Sequence, residues 1–331
     1  MTKIDPIVSI IIPLHWGLKP NNFPRFLNDL KKYERLTYKN YEIIIVTDKP
    51  VSPVILGKNV RCLVTNAKYP TTGTEKRDFA LRFVKGDICA FIDDDAYPDV
   101  DWLKFAIPWF AYERIVAVGG PGITPPEDSF WQKIGGYAIE SYFCSGNIQY
   151  RFYPTFERFS VDQPGYNLLV RTSILKKIHG WGTTFYGGED TVLCIKLLKH
   201  GKILHDPHVL VYHHRRTFPF AHIKQIGSVG KHRGYFFKHY PETTRGVFYF
   251  MPTILTVGFF VFFLLSIYYP FIFALPFVLS LSFFVALGAI SVHQHGVNIR
   301  SSIITGLAII VTHMTYGIYF STGLLTSKLT R

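Results

Sequence analysis

GDICAFIDDD, at residues 86–95, joins an apolar run to three consecutive aspartates. The run Ile88–Ile92 predicts a strand that is buried on both faces. Side chains two residues apart in a strand point the same way, so Asp93 and Asp95 would share one face at the strand's carboxyl end. Two neighbouring carboxylates repel each other unless a cation lies between them, and Mg²⁺ or Mn²⁺ prefers such oxygen ligands. An acidic turn without a ligand is the alternative interpretation.

Strands and helices alternate on either side of this run. The sequence predicts strands at Val8–Pro13, Tyr41–Val46 and Val60–Val64, and helices at Asn22–Tyr33 and Thr74–Val84. This alternation is typical of a doubly wound α/β sheet, which binds its ligands where the strands end. The triple aspartate lies at such an end, and so do Pro13 and Asp48.

The following part of the chain is less regular. We predict further strands at Val116–Gly122, Tyr166–Val170, Ile203–His205 and Val209–His213, and helices at Ile174–Ile178 and Thr191–His200. We expect residues 123–165 to form a variable loop beside the ligand site.

An acidic cluster, Gly187-Gly188-Glu189-Asp190, precedes the helix predicted from Thr191. Two glycines allow a sharp turn, and the helix dipole stabilises carboxylates in the first helical turn. The cluster therefore predicts either an ordinary acidic helix start or a carboxylate that takes a proton from an attacking hydroxyl.

Basic residues occur at two positions near these strand ends. YHHRR, at residues 212–216, ends the last predicted strand, and one of its histidines could complete a metal's ligand set. Arg215 and Arg216 could bind phosphate oxygens in a bidentate way. Lys76 and Arg77 could meet a diphosphate near the N-terminus of their helix. Solvated basic patches are the alternative for both groups.

Apolar segments without charges fill the C-terminal quarter of the chain. No Asp, Glu, Lys or Arg occurs between Arg245 and Arg300, or again from Ser301 to Ser327. About 20 apolar residues are enough to cross a bilayer, so we predict three transmembrane helices, at about 247–268, 271–291 and 302–325. Residues 217–245 mix apolar and basic side chains with helical period, which predicts an amphipathic helix on the membrane surface or a plain surface helix.

Charge and cysteine usage narrow the partners and the compartment. The 331 residues carry a formal net charge of +13, which suits anionic membrane lipids and an anionic substrate. No nucleic-acid-binding motif occurs, so we do not expect a nucleic acid partner. The four cysteines form no close pair, which indicates a reducing compartment. Because Asp5 and Pro6 precede the first apolar run, we predict no signal peptide and a catalytic domain on the cytoplasmic side.

Eight motifs between residues 7 and 216 resemble, in order and spacing, those of family 2 glycosyltransferases: VSIIIP, EIIIVTD, EKRDFAL, GDICAFIDDDAYPDVDWL, GGPG, YNLLVRTSIL, GGED and LVYHH. The resemblance implies a GT-A fold over residues 1–216, a nucleotide-sugar donor, a divalent cation and an inverting single displacement. Residues 217–245 would then form the interfacial segment and residues 246–331 the membrane part.

The resemblance also implies roles for individual residues. Asp93 and Asp95 match the DxD motif that binds the metal and the nucleotide, with Asp94 near the ribose. Asp190 matches the general base, with Glu189 beside it. Either His213 or His214 can be the late metal ligand, and the resemblance favours His213.

Further positions match the surroundings of the donor and the acceptor. The resemblance implies nucleotide contacts from residues at the first strand ends and from the basic helix, namely Pro13, His15, Asp48, Lys76 and Arg77. It implies a pocket for the donor sugar and the acceptor that is formed by Gly120, Pro121, Asn167 and Gly188. Only one carboxylate, Asp48, follows the second strand, where the family usually has an acidic pair.

We therefore expect a membrane-bound inverting glycosyltransferase whose acceptor is a hydroxyl of a lipid-linked glycan or another membrane-proximal molecule. A polyprenyl-phosphate glycosyltransferase is the first alternative, and its phosphate acceptor needs no general base. A processive polysaccharide synthase is disfavoured because the Q-x-x-R-W motif of such enzymes is missing. An inactive membrane scaffold is disfavoured because both acidic motifs are intact.

Overall fold

The computed structural model describes residues 5–15, 19–20, 22–51, 60–183, 187–241 and 246–329. The chain divides into two compact units. The sheet unit reaches to Ile123 and resumes at Pro154–His213. The helical unit comprises Thr124–Tyr153 and His214–Leu329.

The strands belong to the sheet unit. In chain order they are β1 Val8–Pro13, β2 Tyr41–Thr47, β3 Val60–Val64, β4 Ile88–Phe91, β5 Ala96–Pro98, β6 Ile115–Gly119, β7 Gly122–Ile123, β8 Arg158–Ser160, β9 Leu168–Arg171, β10 Lys202–His205 and β11 Val211–His213.

The α-helices are divided between the two units. In chain order they are α1 Phe23–Leu30, α2 Gly73–Ala80, α3 Trp102–Ala106, α4 Phe130–Glu140, α5 Tyr142–Ser145, α6 Thr172–Lys177, α7 Glu189–Leu198, α8 Phe220–His239, α9 Met251–Tyr268, α10 Pro270–His293 and α11 Ile299–Leu325. The helical unit contains α4, α5 and α8 to α11. Short 3-10 helices occur at Lys31–Arg35, Ile107–Ala111, Gly146–Arg151 and Val247–Tyr249.

The large sheet has the strand order β3-β2-β1-β4-β9-β6-β10-β8. Strands β3, β2, β1 and β4 are parallel to one another, which confirms the predicted α/β alternation. β9 runs antiparallel between β4 and β6, and β8 is an antiparallel edge strand. The sheet is therefore mixed, although the first half of the sequence indicates only parallel strands.

Both faces of the sheet are covered, as the apolar strand runs predict. Ile10 and Ile12 of β1 pack into a cluster on one face, and Ile11 packs into a second cluster on the other face. All three side chains are at most 1% exposed. Because the burial continues through β2 and β4, the carboxyl ends of these strands are fixed side by side.

A second, three-stranded sheet has the order β5-β11-β7. β5 begins immediately after the triple aspartate and pairs antiparallel with β11, with Ala96 opposite His213. The predicted strand Val116–Gly122 is in fact two strands, because β6 belongs to the large sheet and β7 pairs in parallel with β11. The small sheet thus brings the end of the late strand to the end of β4.

The expectation of a variable loop over residues 123–165 is wrong. This segment contains α4, α5, the 3-10 helix Gly146–Arg151 and β8. A capping box between Ser129 and Gln132 begins α4. Gly135 and Gly136 lie inside that helix. The lack of a side chain at Gly136 permits close packing, because a Cβ there would lie 2.0 Å from Thr124 Oγ1.

The helical unit contains the three predicted apolar helices. Val247–Tyr268, Pro270–His293 and Ile299–Leu325 are each long and apolar enough to cross a membrane. The predicted basic helix before them is also present, as α8. Its buried face carries His222, three glycines, Arg233 and Phe236, whereas the apolar Val229 is exposed. The position of α8 at a membrane surface stays a prediction.

Gly120 tests how tightly the end of β6 packs. A Cβ at this position would lie 1.8 Å from the backbone oxygen of Val209, so Gly120→Ala must displace backbone. We expect the variant to lose about 1–3 kcal/mol or more of unfolding free energy, visible as a lower midpoint of thermal unfolding. Gly258→Ala is the matched control, because nothing lies within 4 Å of its Cβ. Equal midpoints for both variants would contradict this packing.

Candidate active site

The three aspartates follow the end of β4 directly and precede β5. Asp93 is half-buried, whereas Asp94 and Asp95 are buried. One ligand atom from each of Asp93, Asp95 and His213 lies within 4.8 Å of the other two. His213 Nε2 lies 3.2 Å from Asp95 Oδ1. The structure therefore brings two neighbouring carboxylates together with an imidazole that lies more than a hundred residues later in the sequence.

The small sheet and an aromatic contact fix the imidazole of His213. β11 holds its backbone opposite Ala96, and the Tyr166 ring packs against it with a centroid distance of 4.4 Å. His213 Nδ1 is buried and has no hydrogen-bond partner within the described part of the chain. His214 instead points to a different carboxylate, because its Nδ1 bonds Asp128 Oδ1 in the helical unit.

The middle aspartate has a different environment from its neighbours. Asp94 Oδ2 accepts a hydrogen bond of 2.6 Å from the backbone N–H of His15. This contact ties the segment after β1 to the segment after β4. Pro13 ends β1 two residues before His15, as the sequence predicts.

Arg77 of α2 pairs directly with one of the three carboxylates. Its Nη2 forms an ion pair with Asp93 Oδ1, and its guanidinium lies 4.5 Å from the ring centroid of Trp181. An arginine held over an aromatic face loses little freedom when it binds a further anion. Arg77 is therefore placed to compensate negative charge at the triple aspartate.

Lys76 and Asp48 form an internal ion pair. The fully buried Lys76 Nζ lies 2.8 Å from Asp48 Oδ2 and also donates to the backbone oxygen of Thr71. Burial opposes the ionisation of Asp48, but hydrogen bonds from Lys76, Thr71 and Thr65 outweigh it and lower the pKa of Asp48 to about 2. Both side chains thus support the segment after β2, and direct nucleotide contacts from them stay predictions.

The acidic cluster begins α7 as the sequence predicts. Gly187 and Gly188 have φ values of 96° and 77°, a region that favours glycine. Asp190 Oδ1 accepts from the N–H of Thr191, and Glu189 Oε2 accepts from the N–H of Gly187. Burial and the neighbouring Asp190 carboxylate raise the pKa of Glu189 to about 7, although Arg77 opposes the shift.

The sequence did not predict that the segment Trp181–Thr183, which precedes this cluster, is bound to α2. Asp78 of α2 accepts hydrogen bonds from the N–H groups of Trp181 and Gly182, and Thr74 Oγ1 donates to the backbone oxygen of Thr183. Trp181 is fully buried, and its ring contacts Phe91 edge-on. The same helix that carries Arg77 therefore holds the chain that leads towards Glu189. In the sequence, only Asp78, which follows Glu75-Lys76-Arg77, could have indicated this contact.

The residues predicted for the sugar pocket have structural contacts. Asn167 is fully buried, and its side chain bonds Trp102 Nε1 and the backbone oxygens of Pro121 and Val209. Gly120 lies against Val209 in the same place. These bonds join β6, β9 and the chain before β11. Contacts of Gly120, Pro121, Asn167 and Gly188 with a sugar stay predictions.

The two arginines after His213 belong to the helical unit. Arg215 is buried, with Nη2 3.3 Å from Glu140 Oε1 and Nε 3.1 Å from Thr124 Oγ1. Its backbone N–H donates to Asp128 Oδ2. Arg216 is half-buried. Phosphate binding by Arg215 and Arg216 stays a prediction.

The chain belongs to glycosyl transferase family 2. The model of that family matches residues 9–179, which covers β1 to α6 and includes the triple aspartate. This match confirms the family that the motifs indicate, and the structure confirms the GT-A fold.

Individual relatives are more distant. The pre-mycofactocin glycosyltransferases of Mycobacterium tuberculosis strains CDC 1551 / Oshkosh and ATCC 25618 / H37Rv are each 25% identical over 185 residues. The match includes 54% of this chain but spans only 38% of the length of those relatives. A mannosyltransferase of Pyrobaculum calidifontis, PcManGT, solved with GDP-Man and Mn²⁺, is similar in structure with a TM-score of 0.53. It is 17% identical, and the alignment covers 98% of this chain and 89% of that one.

The raised pKa of Glu189 predicts a pH-dependent effect on stability. The folded protein retains the proton of Glu189 up to about pH 7, whereas an unfolded chain loses it near the ordinary pKa of 4.5. The contribution of Glu189 to the free energy of unfolding therefore falls as the pH rises from about 4.5 to about 7. Glu189→Gln should thus stabilise the metal-free protein more at about pH 8.5 than at about pH 5.

Thermal unfolding of the parent and the variant in EDTA measures this difference. The exposed Glu113 provides the matched control, Glu113→Gln. A gain from Glu189→Gln that is the same at both pH values would contradict the assignment.

Proposed function

We propose that this protein is a membrane-bound inverting glycosyltransferase that moves a sugar from a nucleotide-sugar donor to an acceptor hydroxyl. The observation that carries the proposal is the convergence of Asp93, Asp95 and His213, whose ligand atoms lie within 4.8 Å of one another. Family membership supports the reaction class. The Pyrobaculum mannosyltransferase was solved in complex with GDP-Man and Mn²⁺, which supports a nucleotide-sugar donor and a divalent metal here.

The residues present fit a divalent cation. Two carboxylates and an imidazole are a common donor set for Mn²⁺, and Mg²⁺ accepts the same oxygens. His213 Nε2 lies 3.2 Å from Asp95 Oδ1, so this nitrogen and this oxygen could bind the same cation. Asp93, Asp95 and His213 would hold the cation, which would neutralise the charge of a leaving diphosphate. Arg77 provides a second positive charge beside Asp93.

Asp190 is the proposed general base. It lies in the first turn of α7, where the helix dipole favours the carboxylate form. At neutral pH Glu189 keeps its proton for part of the time, because burial and Asp190 raise its pKa to about 7. A protonated Glu189 removes one repelling charge beside Asp190. Asp190 then accepts the proton of the acceptor hydroxyl, which attacks the anomeric carbon from the face opposite the diphosphate.

A lipid-linked glycan, or another acceptor close to a membrane, is the proposed acceptor class. Three apolar helices in the same chain support it, since a membrane attachment would concentrate the enzyme where such acceptors lie. We also propose that the catalytic part faces the cytoplasm, because the net charge of +13 suits the anionic cytoplasmic leaflet.

Asp190→Asn tests the mechanism. We expect loss of transfer by about 10²-fold or more, because the amide cannot take the hydroxyl proton, while donor binding stays nearly normal. A panel of nucleotide sugars with Mn²⁺ first identifies the donor from nucleotide diphosphate release. Turnover and calorimetric donor affinity are then compared with those of Asp101→Asn, a partly exposed aspartate of the sheet unit.

Near-normal turnover of Asp190→Asn on hydroxyl acceptors would overturn the assignment. Retained transfer to a polyprenyl phosphate, with loss on hydroxyl acceptors, would favour the alternative acceptor, because a phosphate oxygen is already deprotonated.

A further inference from the structure

The three apolar helices of the helical unit differ in how much of each is buried. We compare the most apolar 18-residue stretch of each helix. No residue of this stretch is buried in the first helix and 6% of the residues are buried in α10, whereas 44% are buried in α11. α9 and α10 are joined by the single residue Tyr269 and contact each other through their phenylalanines. The ring centroids of Phe259 and Phe284 lie 5.3 Å apart, and those of Phe262 and Phe277 lie 6.1 Å apart. These two helices therefore form an antiparallel hairpin with Tyr269 at its tip.

Both ends of α11 lie at the base of this hairpin, opposite the tip. α11 begins only six residues after the end of α10, at Ile299. Its Phe320 ring lies 5.1 Å from the ring of Phe250, which directly precedes α9. A third span antiparallel to α10 would carry Phe320 about 30 Å from Ile299, to the level of the tip. The Phe250 contact excludes that path and requires α11 to cross the base.

Contacts along α11 follow the same course. In its first third, a Cβ on Gly306 would lie 2.3 Å from the backbone oxygen of Val285 in the second half of α10. Later, a Cβ on Gly317 would lie 2.7 Å from the backbone oxygen of Pro252 in the first turn of α9. α11 thus passes from the last part of α10 to the first part of α9.

The neighbour on the other side of α11 carries too much charge for the membrane interior. α8 packs along the second half of α11, where a Cβ on Gly234 would lie 2.1 Å from the backbone oxygen of Phe320. α8 carries four cations and no acidic residue: Lys224, Lys231, Arg233 and Lys238. Such a helix does not enter the hydrocarbon region, so the part of α11 that it contacts lies outside that region as well.

The side chains of α11 are divided as an in-plane helix requires. The exposed apolar side chains Ile299, Ile303, Leu307, Met314, Ile318 and Leu325 lie on one face, which also exposes Arg300 and Ser321. The opposite face buries small hydroxyl side chains, including Ser301, Thr305, Thr312 and Thr315. Thr312 Oγ1 lies 2.8 Å from Nε2 of His222 on α8. A single apolar stripe with a protein-packed polar face is typical of interfacial helices.

We propose that the chain crosses the bilayer twice, through the hairpin α9–α10, and that α11 lies in the membrane interface across the base of the hairpin. The partner of the exposed apolar stripe is the headgroup–acyl boundary of the bilayer. α9 and α10 have 18 and 24 residues, which span about 27 and 36 Å. Tyr268 and Tyr269 at the tip suit the opposite interface, where tyrosines concentrate. Of the three transmembrane helices expected from composition, the third then does not cross.

This arrangement places the end of α11 on the same side of the membrane as α8. Lys328 then lies in water or among lipid headgroups beside the lysines of α8. Three spans would instead place Lys328 on the opposite side. This membrane topology is independent of the sugar-transfer chemistry.

Cysteine labelling in sealed vesicles tests the topology. Single variants Lys224→Cys on α8, Tyr269→Cys at the tip and Lys328→Cys after α11 are exposed positions. Each is treated with a membrane-impermeant maleimide in right-side-out and in inverted vesicles. The parent chain with its four natural cysteines gives the background. We expect Lys224→Cys and Lys328→Cys to label in the same vesicle orientation and Tyr269→Cys in the other.

Two results would overturn the proposal. Labelling of Lys328→Cys together with Tyr269→Cys would mean that α11 crosses the bilayer. Labelling of all three positions from one side would mean that the hairpin does not cross. Because the substitutions are at exposed positions, retention of the parent's thermal unfolding midpoint is the check that each variant is folded.

Discussion

The pairing of β5 with β11 is the constraint on which the site depends. β4 delivers the triple aspartate to the end of the large sheet, and His213 reaches it from the small sheet. The antiparallel pairing places His213 opposite Ala96, the residue after Asp95, so a late strand reaches an early one. Only three residues form each strand, and buried contacts such as that of Tyr166 with His213 hold the arrangement.

A network of charges organises the rest of the site around this point. Arg77 pairs with Asp93, while the adjacent Lys76 is buried against Asp48. A buried lysine needs a partner, so the two cations of α2 have separate tasks. Asp78 on the same helix holds the segment at Trp181 that leads towards the acidic cluster. One short helix therefore positions elements that follow three different strands.

The sequence predicted those parts of the fold that have strong local patterns. β1 and β2 are apolar runs buried on both faces, and the triple aspartate and the acidic cluster stand at element ends where the structure has them. β5 and β7 were missed because two or three residues carry no periodicity. α4 was missed because Gly135 and Gly136 suggest a turn, although they permit close packing. The in-plane course of α11 depends on contacts such as that of Phe320 with Phe250, which no hydropathy pattern contains.

If Asp93, Asp95 and His213 bind a divalent cation while Asp94 serves the backbone of His15, cation affinity depends on Asp95 far more than on Asp94. Mn²⁺ affinity, measured by electron paramagnetic resonance on the parent and on two matched variants, tests it most directly. We expect Asp95→Asn to weaken Mn²⁺ binding by at least about tenfold and Asp94→Asn to weaken it much less. Equal losses for the two variants, or no loss for Asp95→Asn, would contradict this metal site.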